Sequence, residues 1–112
     1  GADQRPAAHD REVPPAAPLA TGSWANSAQI SSNMFATAQV GQVITVVVSD
    51  LQAGAQGSFK NSSWAAIAPG TEYFNIDGNF SLTITQDILT QLQSGGLIIS
   101  GQNYTIESVY IK

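Results

Sequence analysis

Gln42-Val43-Ile44-Thr45-Val46-Val47-Val48 is an almost unbroken run of β-branched residues, with Gly41 before it and Ser49-Asp50 after it. β-Branched side chains are stiff at χ1 and fit a pleated surface better than a helix. The run is too short for a typical helix and is bounded by turn residues, so it reads as a buried strand. Phe80-Ser81-Leu82-Thr83-Ile84-Thr85 alternates apolar and polar, as a half-buried strand does. Leu97-Ile98-Ile99-Ser100 is a further strand, stopped by Gly101. In Tyr104-Thr105-Ile106-Glu107-Ser108-Val109-Tyr110-Ile111 the apolar phase changes near Ser108, which predicts a bulge. Weaker strands are expected over Ala28–Phe35, Gly57–Asn61 and Glu72–Asn75. Asp77-Gly78, between Phe74 and Phe80, reads as a hairpin turn.

One helix interrupts this pattern. Thr85 is placed to cap Gln86-Asp87-Ile88-Leu89-Thr90-Gln91-Leu92-Gln93, where Ile88, Leu89 and Leu92 share a face. Asp87 suits the positive N-terminus, and Gly95-Gly96 ends the helix. Short strands with turn signals and a single helix predict an all-β fold: an antiparallel β-sandwich of jelly-roll type with one short helix.

The chain has 112 residues, enough for one domain with one core. Four of its five prolines, Pro6, Pro14, Pro15 and Pro18, fall in the first 20 residues, together with the single histidine, His9. Proline fixes φ and removes donors, so residues 1–20 read as an extended Pro/Ala linker, mobile or ordered only by a neighbour. Residues 21–112 form the expected sandwich. Such a linker is expected of a piece of a larger, multi-domain protein. No basic-then-apolar leader opens the sequence, so any export signal has been removed or was never included; the acidic balance and the Pro/Ala tail agree with a secreted, extracellular module.

Charge and composition exclude several functions. The net charge is −4 and charged residues make up 11% of the chain, so no basic stripe is available for nucleic acid. No run approaches the length of a membrane-spanning helix. With no cysteine there is no disulfide frame, thiolate metal site or cysteine nucleophile. The lone histidine lies in the tail, so a Ser-His-Asp system in the body is excluded. A glycosidase needs two carboxylates across a cleft; spacing alone does not pair the body's acids, Asp50, Glu72, Asp77, Asp87 and Glu107, which read as solvated or turn residues. The expectation is a non-enzyme.

Two features carry chemistry. Asn75-Ile76-Asp77-Gly78-Asn79 sets three oxygen side chains at alternate positions, a pattern calcium favours, although it lacks a distal glutamate and reads first as a plain turn. The second feature is aromatic. A sugar ring has an apolar C–H face and a hydroxyl rim, and is bound by an aromatic ring on the face with amides, hydroxyls or a lysine at the rim. Trp64 is preceded by Lys60 and Asn61 and followed by Ala65-Ala66, which leaves its ring locally uncovered. Tyr73 follows the Pro69-Gly70 turn, Trp24 opens the body in a polar stretch, and Gln102-Asn103 follow a strand end. Gln56, Ser58 and Lys60 share one strand parity with Phe59 opposite, which points Lys60 to solvent. Phe35, Phe59, Phe74 and Phe80 are assigned to the core.

Several of these segments together resemble a known family. They are Trp24…Ile30…Phe35, Gly41-Gln42-Val43-Ile44-Thr45-Val46, Ala55-Gln56…Lys60-Asn61…Trp64, Leu82-Thr83-Ile84-Thr85…Ile88-Leu89 and Gly96-Leu97-Ile98-Ile99-Ser100-Gly101-Gln102-Asn103-Tyr104-Thr105. Over residues 22–112 the chain is similar to a carbohydrate-binding module of family 81, attached to bacterial endoglucanases. The resemblance implies a jelly-roll module that binds β-glucan, such as cello-oligosaccharides, mixed-linkage glucan or xyloglucan. It implies a tethered glycoside hydrolase as partner, and calcium as a common companion. The sugar contacts expected from chemistry are Trp64, Tyr73, Trp24, Gln56, Lys60, Asn61, Gln102 and Asn103, with Asn75, Asp77 and Asn79 for metal. A monomer or weak dimer is expected, with no nucleic acid and no membrane. The competing reading is a structural spacer or a protein-interaction sandwich, offering an exposed strand edge to a partner.

Overall fold

The structure is a computed structural model that describes residues 11–13 and 17–112. Among the described residues the chain runs through nine strands. They are β1 (Arg11–Val13), β2 (Leu19–Ala20), β3 (Ala28–Ile30), β4 (Val43–Ser49), β5 (Gln56–Lys60), β6 (Phe74–Asn75), β7 (Phe80–Thr83), β8 (Leu97–Gln102) and β9 (Thr105–Ile111). Helix α1 (Gln86–Gly95) lies between β7 and β8, and a 3₁₀ turn (Ser32–Phe35) follows β3.

The strands form two antiparallel sheets. One has the order β1-β9-β4-β7, with β2 also on β9; the other has the order β3-β8-β5-β6. The pairs β2–β9, β3–β8, β4–β7 and β5–β6 are nested, as though one long antiparallel ribbon had been rolled up. That is the jelly-roll sandwich the sequence predicts.

β4 is central to the first sheet because its β-branched run fills both faces. Ile44 and Val46 are fully buried, and Val43, Thr45 and Val47 stand half-buried on the outside. The phase change in β9 is a bulge. Val47 faces Ser108 and Val48 faces Ile106, which leaves Glu107 unopposed. The extra residue lets Ile106 face the core along with Val109 and Ile111, and the Glu107 carboxylate accepts from the Ser49 hydroxyl.

α1 begins as predicted, with Thr85 Oγ1 accepting from Ile88 N–H at 3.3 Å. Ile88 and Leu92 are buried, and the helix packs on the 3₁₀ turn, where Gln93 Nε2 donates to Phe35 O at 3.1 Å. Gly96 follows the helix at φ 88°, where a side chain is strained and where a Cβ would overlap the Ile30 carbonyl.

The core joins the two sheets. Phe59 and Phe74 from one sheet meet Phe80 from the other and Tyr104 from the β8–β9 turn, with ring centroids 5.4–5.8 Å apart. Gly57 leaves room for this cluster, since a Cβ there would sit 3.1 Å from the Phe74 and Phe80 rings. Tyr104 Oη donates to Ser100 O at 2.9 Å, and burial pushes the phenol well above its usual range.

Three expectations change. Asp77-Gly78 is not a hairpin turn, because β6 and β7 belong to different sheets. Phe74 and Phe80 pack across the sandwich, centroids 5.4 Å apart, and that contact outweighs the local turn preference. Ala28–Phe35 splits into β3 and the 3₁₀ turn, which drives Phe35 fully into the core. Arg11–Val13 and Leu19–Ala20, within the stretch read as linker, are strands on β9. The β9 edge supplies backbone partners, and Val13 buries its side chain to 2% exposure. The rest of the linker reading, residues 1–10 and 14–16, lies outside the described residues.

Candidate functional site

The outer face of the four-stranded sheet is built in rows that cross the strands. Because side chains alternate, Gly57 and Phe59 of β5 turn inward while Gln56, Ser58 and Lys60 turn outward, as the sequence indicates. Register then fixes their neighbours. The first row is Ser23, Gln102, Gln56 and Asn75; the second contains Ser100 and Ser58; the third is Gln29, Ile98 and Lys60. Tyr73 precedes the inward-facing Phe74, so it falls on the outer face beside Ser58. It is 65% exposed.

The first row is a ladder of amides. Gln102 Nε2 donates to Gln56 Oε1 at 3.0 Å, and Gln56 Nε2 donates to Asn75 Oδ1 at 3.2 Å. Each amide NH₂ has two donors and each carbonyl two lone pairs, so the ladder fixes orientation and still leaves hydrogen-bonding capacity at the surface.

Trp24 flanks the second row. It is 41% exposed, and its N–H donates to Gly101 O at 2.9 Å, which anchors it on β8. Its ring reaches across to Lys60, whose Nζ lies 5.5 Å from the ring centroid. Such a contact is worth about 0.5–1 kcal/mol at an exposed site. Between the two anchor points lie Ser100 and Ser58, 5% and 0% exposed, whose hydroxyls bond each other. Lys60 Nζ also donates to Glu72 O at 3.0 Å. Burial lowers the ammonium pKa below 10.5, against a smaller opposing pull from the Glu72 carboxylate.

Trp64 occupies the loop beyond β5. Its N–H donates to Asn61 O at 2.9 Å, and Asn61 N–H donates to Ala65 O at 2.8 Å. The Asn61 side chain is spent on the loop: Oδ1 accepts from Ser63 and Ala65 N–H, and Nδ2 donates to Gln91 Oε1 at 2.9 Å. Gln91 in turn donates to Ile67 O at 2.8 Å, so α1 clamps this loop. Trp64 is 53% exposed and borders a cleft of about 300 Å³ with Gln29, Ser31, Ser62 and Ile98.

Trp24 and Trp64 share a backbone peculiarity. Both hold left-handed φ, 60° and 63°. That conformation costs a residue with a Cβ roughly 1–2 kcal/mol, and it is unusual for a bulky side chain. Asn103 is also left-handed, at φ 66°, where asparagine is better tolerated. Its role is to tie loops together: Nδ2 donates to Ala53 O at 3.1 Å and its N–H to Gly22 O at 2.9 Å.

The structure thus gathers Trp24, Lys60, Tyr73, Gln56 and Gln102 on one face, with Trp64 at its flank. It places Asn61 and Asn103 in loop-fixing bonds. Of the three oxygens considered for calcium, Asn75 Oδ1 accepts from Gln56 in one sheet and Asn79 Oδ1 accepts from Val48 N–H in the other, at 2.9 Å. Asp77 is exposed between them. A calcium ion needs six to eight oxygens; these side chains offer three, and Asn75 and Asn79 each already accept one hydrogen bond, in different sheets. Among the described residues no three His, Cys, Asp or Glu side chains cluster to hold a metal. Gln29 and Ile98 were not singled out from sequence. The apolar-polar-apolar order of Ala28-Gln29-Ile30 is the signal that puts Gln29 outside.

No family model matches the chain, and no curated protein matches it. Among solved structures it is similar to SGBP-B of the mixed-linkage glucan utilization locus of Bacteroides ovatus, solved in complex with a mixed-linkage heptasaccharide. The TM-score is 0.74 at 21% identity, over 92% of this chain and 30% of that one. The likeness shows a shared sandwich fold, and this chain spans under a third of the neighbour's length. Among the described residues no helix is long and apolar enough to cross a membrane.

Proposed function

We propose that the chain is a non-catalytic carbohydrate-binding module that holds β-glucan on the outer face of its four-stranded sheet. One observation carries the reading: Trp24 and Tyr73 expose their rings on the same face as a pre-ordered amide row, Gln102–Gln56–Asn75. Aromatic rings meet the apolar faces of pyranoses, and the amides and Lys60 meet their hydroxyls. The left-handed Trp24 adds support, since its backbone holds a ring that is 41% exposed on this face at a conformational cost. The neighbour's bound mixed-linkage oligosaccharide and the family 81 resemblance favour a glucan as ligand.

On this reading the module is secreted and keeps a tethered glycoside hydrolase close to its substrate, raising effective concentration without joining the chemistry. Affinity is modest, because solvent-exposed hydrogen bonds contribute little net free energy each.

The test is affinity electrophoresis in gels carrying mixed-linkage β-glucan, xyloglucan, xylan or mannan, each with calcium and with chelator. Retardation by the glucan gels is expected. Free migration in every gel would overturn the reading and leave a spacer or protein-interaction domain.

A further inference from the structure

The cleft at Trp64 lies to one side of the rows just described. Gln56, Ser58 and Lys60 advance along β5 at about 3.3 Å per residue, so the third row lies about 7 Å from the Trp24–Tyr73 row. The cleft begins at the Gln29 and Ile98 positions of that third row and extends further from the amide ladder. The Trp24–Tyr73 row crosses the strands and is therefore flanked on one side by the amides and on the other by the cleft.

The cleft has the two surfaces a sugar ring needs. Trp64 is 53% exposed at its wall, and the outward-facing Ile98, 6% exposed, gives it an apolar floor. Gln29, Ser31 and Ser62 line it and are exposed. Among the described residues the Gln29 amide has no hydrogen-bond partner, unlike those of Gln56 and Gln102. It keeps two donors and an acceptor for a ligand. The shape is also held in place. Helix α1 clamps the Trp64 loop through Gln91, and a Cβ on Gly95 would overlap Ser62.

We infer that this cleft is a side-branch subsite: it takes a single pyranose carried laterally by a β-glucan backbone that lies across Trp24 and Tyr73, with Trp64 against the ring face and Gln29 at its hydroxyls. The inference rests on the proposed function, since a branch reaches the cleft only from a backbone on the platform. It makes the module favour a branched over an unbranched glucan.

Calorimetric titration separates the two levels. The probes are a linear cello-oligosaccharide and the same backbone carrying single xylosyl groups. Wild-type protein is expected to bind the branched probe on the order of tenfold more tightly, the effect of one stacked ring and one or two hydrogen bonds. Gln29→Ala and Trp64→Ala are each expected to reduce that preference severalfold, with circular dichroism reporting an intact fold. Equal or weaker wild-type binding of the branched probe would overturn the subsite and leave the platform standing. So would a preference that survives in both variants, or a Trp64→Ala loss equal for the two probes. Binding of neither probe by wild-type protein would remove the platform itself.

Discussion

The two outer faces of the sandwich arise from the same alternation and end in different chemistry. On the five-stranded sheet, Val43, Thr45 and Val47 of β4 stand half-buried beside Ser81, Thr83, Ser108 and Tyr110, all of them strand residues. On the four-stranded sheet the exposed rings of Trp24, Trp64 and Tyr73 come from just outside the strands. Strand residues are bound by the pleat and by cross-strand neighbours. Flanking residues escape that restraint and lay a ring over the sheet or beside it. A face becomes a platform through the segments at its strand ends.

The largest effect tests whether the faces share one core. Phe59 is 1% exposed beneath the platform and touches Phe80 of the opposite sheet, with centroids 5.4 Å apart. Phe59→Ala should lower stability by about 3–5 kcal/mol. Both tryptophans sit on the four-stranded side, so their fluorescence reports that side while far-ultraviolet circular dichroism reports both sheets. The two urea midpoints should fall together. Separate midpoints would mean that the faces unfold independently.

Binding should divide the faces sharply. Trp24→Ala is expected to cost about 2 kcal/mol of β-glucan affinity, roughly 30-fold, through loss of one stacked ring. Tyr110→Ala removes a half-buried ring from the opposite face and should leave affinity within twofold. Equal losses in calorimetric titration would break the assignment of the site to one sheet.

Alkaline pH probes the residue that joins the faces. Tyr104 lies at the β8–β9 turn, bonded to Ser100 O and packed edge-on to Phe80. Burial raises its folded pKa above the unfolded value of 10.0, so its contribution is fully present below pH 10 and is lost as pH rises further. The slope reaches at most about 1.4 kcal/mol per pH unit. Lys60, lowered by burial, acts in the opposite sense below 10.5. The difference between wild type and Tyr104→Phe therefore carries the test: it should narrow above pH 10 in urea titrations. A constant difference would show that the phenol ionises freely in the fold.

Much of the scaffold was legible because its causes are local. The β-branched run of β4, the Thr85 cap and the phase change in β9 each act within a few residues, and each stands where the sequence put it. Non-local causes were not legible. Val13 becomes a core residue only because β9 has a free edge, and Asp77-Gly78 becomes a crossover only because Phe74 and Phe80 meet across the core. The site divides the same way. Exposed aromatics were readable from small and polar neighbours. The juxtaposition of Trp24 with Lys60, 36 positions apart in sequence, follows from sheet register. So does the side-chain engagement of Asn61 and Asn103, whose amides looked as available as those of Gln56 and Gln102.

The smallest predicted effect separates display from packing. Glycine adopts left-handed φ freely, so Trp64→Gly relieves a backbone cost of roughly 1–2 kcal/mol. The greater freedom of glycine in the unfolded chain takes back about 0.5–1 kcal/mol, and the few contacts of a ring 53% exposed take back some more. Stability should therefore stay within about 1 kcal/mol of wild type, a thermal midpoint shift of no more than about 8 °C for a domain of this size. Trp24→Gly relieves the same strain but removes the ring from Lys60, so it should be the less stable of the two. A loss beyond about 2 kcal/mol for Trp64→Gly would make its ring a structural plug. It would then have no freedom to meet a ligand, and the side-branch subsite would lose its wall.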